Sequence, residues 1–169
     1  MPEIGRTDIA ANPVTRGNQS RGPAIGNMWY TAIAGDVVTL FSIYGHQGVA
    51  GFWSMAVYTT LGTTLDARIN APITITPTNT TPQWWTAVVS IALTAGIEYG
   101  IAIGLHSSPT IYEDAVPAPI TTFANDNTPP NPWVHAGNSG AVMSGFATVG
   151  APPPPVTGII YPCRAQLIT

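Results

Sequence analysis

The chain contains no lysine and one cysteine, and only 8% of its residues are charged. Each shortage excludes something. Without lysine there is no phosphate-loop lysine and no Schiff-base chemistry. The lone Cys163 leaves no intrachain disulfide. That argues against a disulfide-stapled secreted scaffold and for a buried, inert thiol. The five basic residues, Arg6, Arg16, Arg21, Arg68 and Arg164, are scattered, and the net charge is −3. They give no phosphate-tracking surface, so nucleic acid is not an expected partner. A His-Glu-x-x-His pair and a Gly-x-Ser-x-Gly elbow are both missing. His46, His106 and His135 lie far apart, without helical ligand spacing. No metal site and no cofactor are therefore expected. Together these shortages point away from an enzyme.

What is present points to an all-β protein. There are 17 glycines and 17 prolines, yet 45% of residues are hydrophobic. Turns are abundant, and so is material for a core. A chain of 169 residues suits one domain. Its size lets it bury about 70% of the surface exposed when unfolded. With so few charges, its surface must be made of Thr, Ser, Asn, Gly, Pro and Ala. Such a surface repels copies of itself weakly and suits packing against them.

The most apolar stretch, "WWTAVVSIALTAGIEYGIAIGL" from Trp84 to Leu105, is long enough for a membrane span. Its internal order argues otherwise. Trp85, Ala87, Val89, Ile91 and Leu93 take alternate positions, separated by Thr86, Val88, Ser90, Ala92 and Thr94. After the break at "TAG", Ile97, Tyr99, Ile101, Ile103 and Leu105 face one way, and Glu98, Gly100, Ala102, Gly104 and His106 the other. Period two marks a strand with one dry face. Two antiparallel strands joined by a turn are predicted, and no membrane span.

Elsewhere, "MWYTAI", "DVVTLFSIY", "FWSMAVYTT", "PITITPT", "SSPTIYEDA" and "AVMSGFATV" read as strands. "TGIIYPCRAQLIT" reads as the last one, and residues 116–140 as loop. Eight to ten strands with turn signals between them predict a single two-sheet antiparallel sandwich, jelly-roll-like. Residues 1–26, rich in Asn, Gly, Pro and Arg, are expected to form an extended N-terminal arm, and residues 27–169 the sandwich domain.

From Asn27 onward the chain resembles a β-sandwich module of phage structural proteins and some bacterial surface proteins. Ala56 with Tyr58, Leu65 with Ala67, Trp85 with Val88, and Leu93, Ala95, Gly96 and Tyr99 carry the likeness, with the tail "SGFATVGAPPPPVTGIIYPCRAQL". The resemblance implies a structural or binding role on a particle or surface, and brings no catalytic residues. The opening "MPEIGRTDIAANPVTRGNQSRG" has no apolar core like that of a signal peptide. A virus component made in the host cytoplasm and exposed later reconciles that start with an exterior-looking composition. The expected function is thus a structural protein of a phage particle, in capsid, tail or fibre. Its expected partners are other virion proteins and its own copies, in a symmetric oligomer such as a trimer. The alternative is a carbohydrate-binding module of a cell-surface or secreted protein, with a cell-surface glycan as partner.

For that alternative the candidate ligand-binding residues are Trp84 and Trp133. Trp85 belongs to the inner alternation, so Trp84 should point outward. Trp133 lies in the long loop region, in "NPWVHAG". Trp29 and Trp53 are expected in the core or at a sheet edge. Glu113, Asp114 and "NDN" (Asn125, Asp126, Asn127) are the densest oxygen ligands, but a solvated loop explains them better than calcium. Glu113 and Asp114 do not suit a glycosidase pair, because adjacent strand residues face opposite ways.

Overall fold

The computed structural model describes residues 1–15, 19–23, 29–46, 51–106, 110–115, 121–124, 128–134, 137–139 and 141–151. These residues hold fifteen strands and no helix. In chain order they are β1 (Glu3–Arg6), β2 (Asn12–Thr15), β3 (Gln19–Pro23), β4 (Tyr30–Thr31), β5 (Val37–His46), β6 (Phe52–Leu61), β7 (Thr64–Arg68), β8 (Ile73–Ile75), β9 (Gln83–Ala92), β10 (Glu98–His106), β11 (Thr110–Ala115), β12 (Thr121–Ala124), β13 (Gly137–Ser139), β14 (Ala141–Met143) and β15 (Gly145–Gly150). The expected final strand and Cys163 lie outside the described residues, as do His135 and Asn125–Asn127.

The strands form two antiparallel sheets packed face to face. The first runs β1-β15-β5-β11-β14, with β9 on the other side of β5 and β2 beside β11. The second runs β13-β12-β3-β10-β6-β7, with β4 beside β10 and β8 beside β6. From β9 to β12 each successive strand changes sheet, the interleaved path of a jelly-roll-like sandwich. One core fills the space between. Phe41 and Ile43 of β5, Trp53, Met55 and Val57 of β6, and Tyr99, Ile101, Ile103 and Leu105 of β10 are buried there. Among the described residues, no helix is long and apolar enough to cross a membrane.

The Trp84–Leu105 stretch is indeed two strands, and the inward rows predicted from its periodicity face the core, except that Ile97 precedes β10 and is exposed, and the opposite face of β10 is buried as well. Trp85, Ala87, Val89 and Ile91 pack on the core, while Thr86, Val88, Ser90 and Ala92 are exposed. The expected pairing is corrected. β9 pairs with β5 in the first sheet, and β10 pairs with β6 in the second. The link between them docks on the 32–36 turn instead of closing a hairpin. Ala32 donates to the Ile97 carbonyl at 2.9 Å, Gly96 to the Ala32 carbonyl at 2.8 Å, and Leu93 to the Asp36 carbonyl at 3.0 Å. A hairpin would have placed both apolar rows on one sheet. Splitting them sets one row against the other across the core. Periodicity reports which face is dry, not which strand lies alongside.

The arm expected over residues 1–26 instead supplies three strands. β1 pairs with β15, β2 with β11, and β3 with both β10 and β12. The attachment is ionic as well as backbone. Asp114 Oδ2 accepts from Arg6 at 2.7 Å, and its Oδ1 accepts from the Ala11 amide at 2.7 Å. Ser144 Oγ accepts from the Ala10 amide at 2.7 Å. The polar composition read as an arm is that of two edge strands, β1 and β2, one interior strand, β3, and their connections. The long loop expected over residues 116–140 also contains strands, β12 and β13.

Candidate functional site: an uncharged aromatic sheet face

Three neighbouring strands of the first sheet, β9, β5 and β15, contain no Asp, Glu or Arg. The charges of that sheet sit to one side, on β1 and β11. On the outer surface of these strands, away from the core, aromatic rings form a row. Register explains it. Trp84 of β9 lies directly opposite Tyr44 of β5. Phe146 of β15 lies opposite Ser42, one outward position along. Ile111 of β11 pairs with Gly45, which brings Tyr112 beside Tyr44.

The rings meet edge to face. Phe146 and Trp84 are 5.2 Å apart at 70°, Trp84 and Tyr44 5.4 Å at 65°, and Tyr44 and Tyr112 5.0 Å at 72°. His46 extends the row to Tyr112 at 6.5 Å. Such pairs contribute about 0.5–1.5 kcal/mol each beyond area burial. All five side chains are half-buried, and the row seals Ser42 beneath it. Beyond Trp84, Val88 stands 86% exposed. The result is a neutral surface of rings held by one another, flanked by Thr86, Val88 and Ser90.

The two tryptophans singled out from sequence thus part company. Trp84 faces outward as expected, but as one member of a packed row and not as an isolated platform. Trp133 is only 8% exposed. It closes a second, smaller core on the outer side of the second sheet, with Ala56, Tyr58, Leu65 and Ala102. Its ring meets Tyr58 edge to face at 5.5 Å, and its amide donates to the Asp66 carbonyl at 2.8 Å. A ring sealed in this way offers no face to a ligand. Tyr44, Tyr112 and Phe146 were missed by sequence reasoning. The available signal was parity: Tyr44 and His46 occupy the outward positions of "TLFSIYGH", just as Trp84 does on its strand.

The titratable groups serve the fold. The Arg6 guanidinium is held strongly protonated by its hydrogen bond to Asp8, against the opposing effect of burial and with help from Asp114. The Asp114 carboxyl lies below its usual range because the Ala11 amide, and then Arg6, donate to it. Asp8 is lowered chiefly by Arg6. Tyr30 donates to Asp36 at 2.6 Å, which together with burial raises its phenol pKa. Asp36 also accepts from the Ile33 amide at 2.8 Å, fixing the turn before β5.

Other arrangements have weaker chemical prospects. Glu113 is buried while its neighbour Asp114 is engaged by Arg6 and Ala11. Among the described residues, no group of three or more His, Cys, Asp or Glu side chains is placed to hold a metal. Ser54 Oγ lies 3.1 Å from His106 Nε2, the geometry of a nucleophile beside a base. Ser54 is only 3% exposed, and His106 is stacked on Phe52 at 4.1 Å. A hydroxyl so enclosed has no approach for a substrate.

No protein-family model, curated protein or solved structure matches this chain.

Proposed function

We propose that this chain is a non-enzymatic structural protein of a virus particle, a phage particle in particular. It decorates or forms part of the capsid, tail or fibre by packing against copies of itself and other virion proteins. It is made in the host cytoplasm and finishes in the virion. The observation that carries this reading is the outer face of β9, β5 and β15: aromatic, half-exposed and free of formal charge. Protein interfaces are enriched in aromatic residues and depleted of charge at their centre. A neutral face also avoids the cost of stripping water from ions when two surfaces meet. Charge is sparse over the rest of the chain too, at 8% of residues with no lysine.

A second reading has one observation in its favour. Trp84, half-exposed in a row of rings, is the kind of group on which a sugar stacks, as in a carbohydrate-binding module of a cell-surface or secreted protein. The edge-to-face contacts weigh against it, because they fix the rings at angles to one another and leave no common plane.

Light scattering across a range of concentrations tests the choice. Assembly predicts a mass that is a multiple of 17.7 kDa. A chain that stays monomeric and binds a glycan array, with binding lost in Trp84→Ala, establishes the second reading instead.

A further inference from the structure

The edges of the two sheets are unequally protected. β1 has four residues and carries Glu3 and Arg6; β14 has three; β2 has four and includes Pro13. In the second sheet β13 and β8 have three residues each, β4 has two, and β7 carries Asp66 and Arg68. Short length, charge and proline are the devices that stop sheet edges from joining others. β9 has none of these three, although its ladder to β5 shifts register between Ile91 and Val88. It runs ten residues, Gln83–Ala92, with no charge and no proline. Among the described residues it pairs with β5 alone, along nearly its whole length. Its second edge is a long row of amides and carbonyls.

We propose that two copies of this chain join through β9, antiparallel, about a two-fold axis at Val88. The inference rests on self-association being part of the function, and it names the contact. Self-pairing must bring outward residues against outward residues, since a slip of one position would set the dry face against the wet one. Centring on Val88 meets that condition. Val88 faces its own counterpart, Thr86 faces Ser90, and Trp84 faces Ala92. On the inner face Ala87 faces Val89, and Trp85 faces Ile91. Val88, the most exposed large apolar side chain within the described strands, is thereby covered. Centring on Ala87 would set Gln83 against Ile91 and leave Val88 against Thr86. The Val88 register matches like with like at every step. It also makes the two aromatic faces one continuous surface across the joined sheets. The partner is a second copy because the strand is complementary to itself, with small hydroxyl and apolar side chains alternating on both sides of its midpoint.

Two variants test the pairing. Val88→Lys puts like charges directly opposite each other at the axis, and the exposure of Val88 means the fold tolerates it; circular dichroism checks that it does. The expected result is a fall in mass to that of one chain at micromolar concentration, with Val88→Thr unchanged. In a Cys163→Ser background, Val88→Cys should cross-link rapidly with a short bis-maleimide. Opposed Cβ atoms lie about 5 Å apart across a strand pair. Ser90→Cys should react at least tenfold more slowly, because its counterpart is four residues away along the strand, about 13 Å. A monomeric wild type overturns both the self-association and this contact. A wild-type oligomer, trimeric or otherwise, that survives Val88→Lys and gives no preferential 88–88 cross-link overturns the contact alone. The self-association would then use another surface.

Discussion

β9 and β10 are adjacent in sequence and similarly apolar, yet the fold treats them oppositely. β9 lies at the edge of one sheet and, from Trp85 onward, alternates between half-buried and exposed. β10 lies inside the other sheet and is buried on both faces from Tyr99 to Leu105. The difference lies in the even positions. On β9 these are Thr86, Val88, Ser90 and Ala92, side chains that tolerate water. On β10 they are Gly100, Ala102 and Gly104, so small that other groups close over them. A Cβ built on Gly100 would meet Leu65 Cδ2 at 2.6 Å and Trp29 at 3.1 Å. Ala102 lies under the cluster that includes Leu65 and Trp133. Glycine on a strand here marks close approach from outside the sheet and not a wet face. Segment 128–134 supplies part of that cover, through the Trp133 amide to Asp66 and the Tyr58 hydroxyl to the Pro130 carbonyl.

This contrast is open to direct challenge by denaturant unfolding. The largest effect is expected for Ile101→Ala, a truncation in the centre of β10. It should cost about 2–5 kcal/mol. Its counterpart on β9, Val89→Ala, lies against the same core from a half-buried position and should cost no more than about half as much. Equal losses would mean that β9 is as enclosed as β10, and the contrast would fail. Next comes overpacking. Gly100→Val forces Leu65 or Trp29 aside and should cost about 1–3 kcal/mol. Ser90→Val, on the exposed face of β9, should change stability by less than about 0.5 kcal/mol. A loss between these two belongs to the link between the strands. Tyr99→Phe removes the hydroxyl that accepts from the Thr94 amide at 3.0 Å, at a cost of about 1 kcal/mol. A neutral outcome there would show that water replaces the hydroxyl without loss, so that the crossover is set by Leu93, Gly96 and Ile97 alone.

Much of the fold was legible because it depends on parity. The inner row Trp85, Ala87, Val89 and Ile91, the core row of β10, and the main strands β5 and β6 all follow from alternating side chains. The sheet to which each strand belongs was not legible. That choice depends on which long strands lie alongside, and β5 and β6 are distant in sequence from β9 and β10, which they accept. The N-terminal strands were hidden for a related reason. Their partners are β15, β11 and β10, and nothing local in "NPVTRGNQSRG" announces that Asp114 and Ser144 will hold the preceding residues in place. The candidate site was half legible. Trp84 could be placed outward from its neighbour Trp85, but its companions come from three other strands and meet only through register. Trp133 misled because it stands in a polar, proline-rich stretch. Such a stretch reads as solvent-exposed even where it folds back as a cover.

The pairing of Glu3 with Thr148 spans almost the entire described chain. During synthesis β1 emerges before the other described strands and must wait for β15, the last of them, before its ladder can form. Until then β1 has no ladder partner to hold Ile4 and Arg6 in place. Folding rates fall as contacts become more distant in sequence. Assembly of this sandwich therefore waits on its last described strand: both ends of the described chain come together at one edge of the first sheet, and a chain cut short before β15 would be left unlatched.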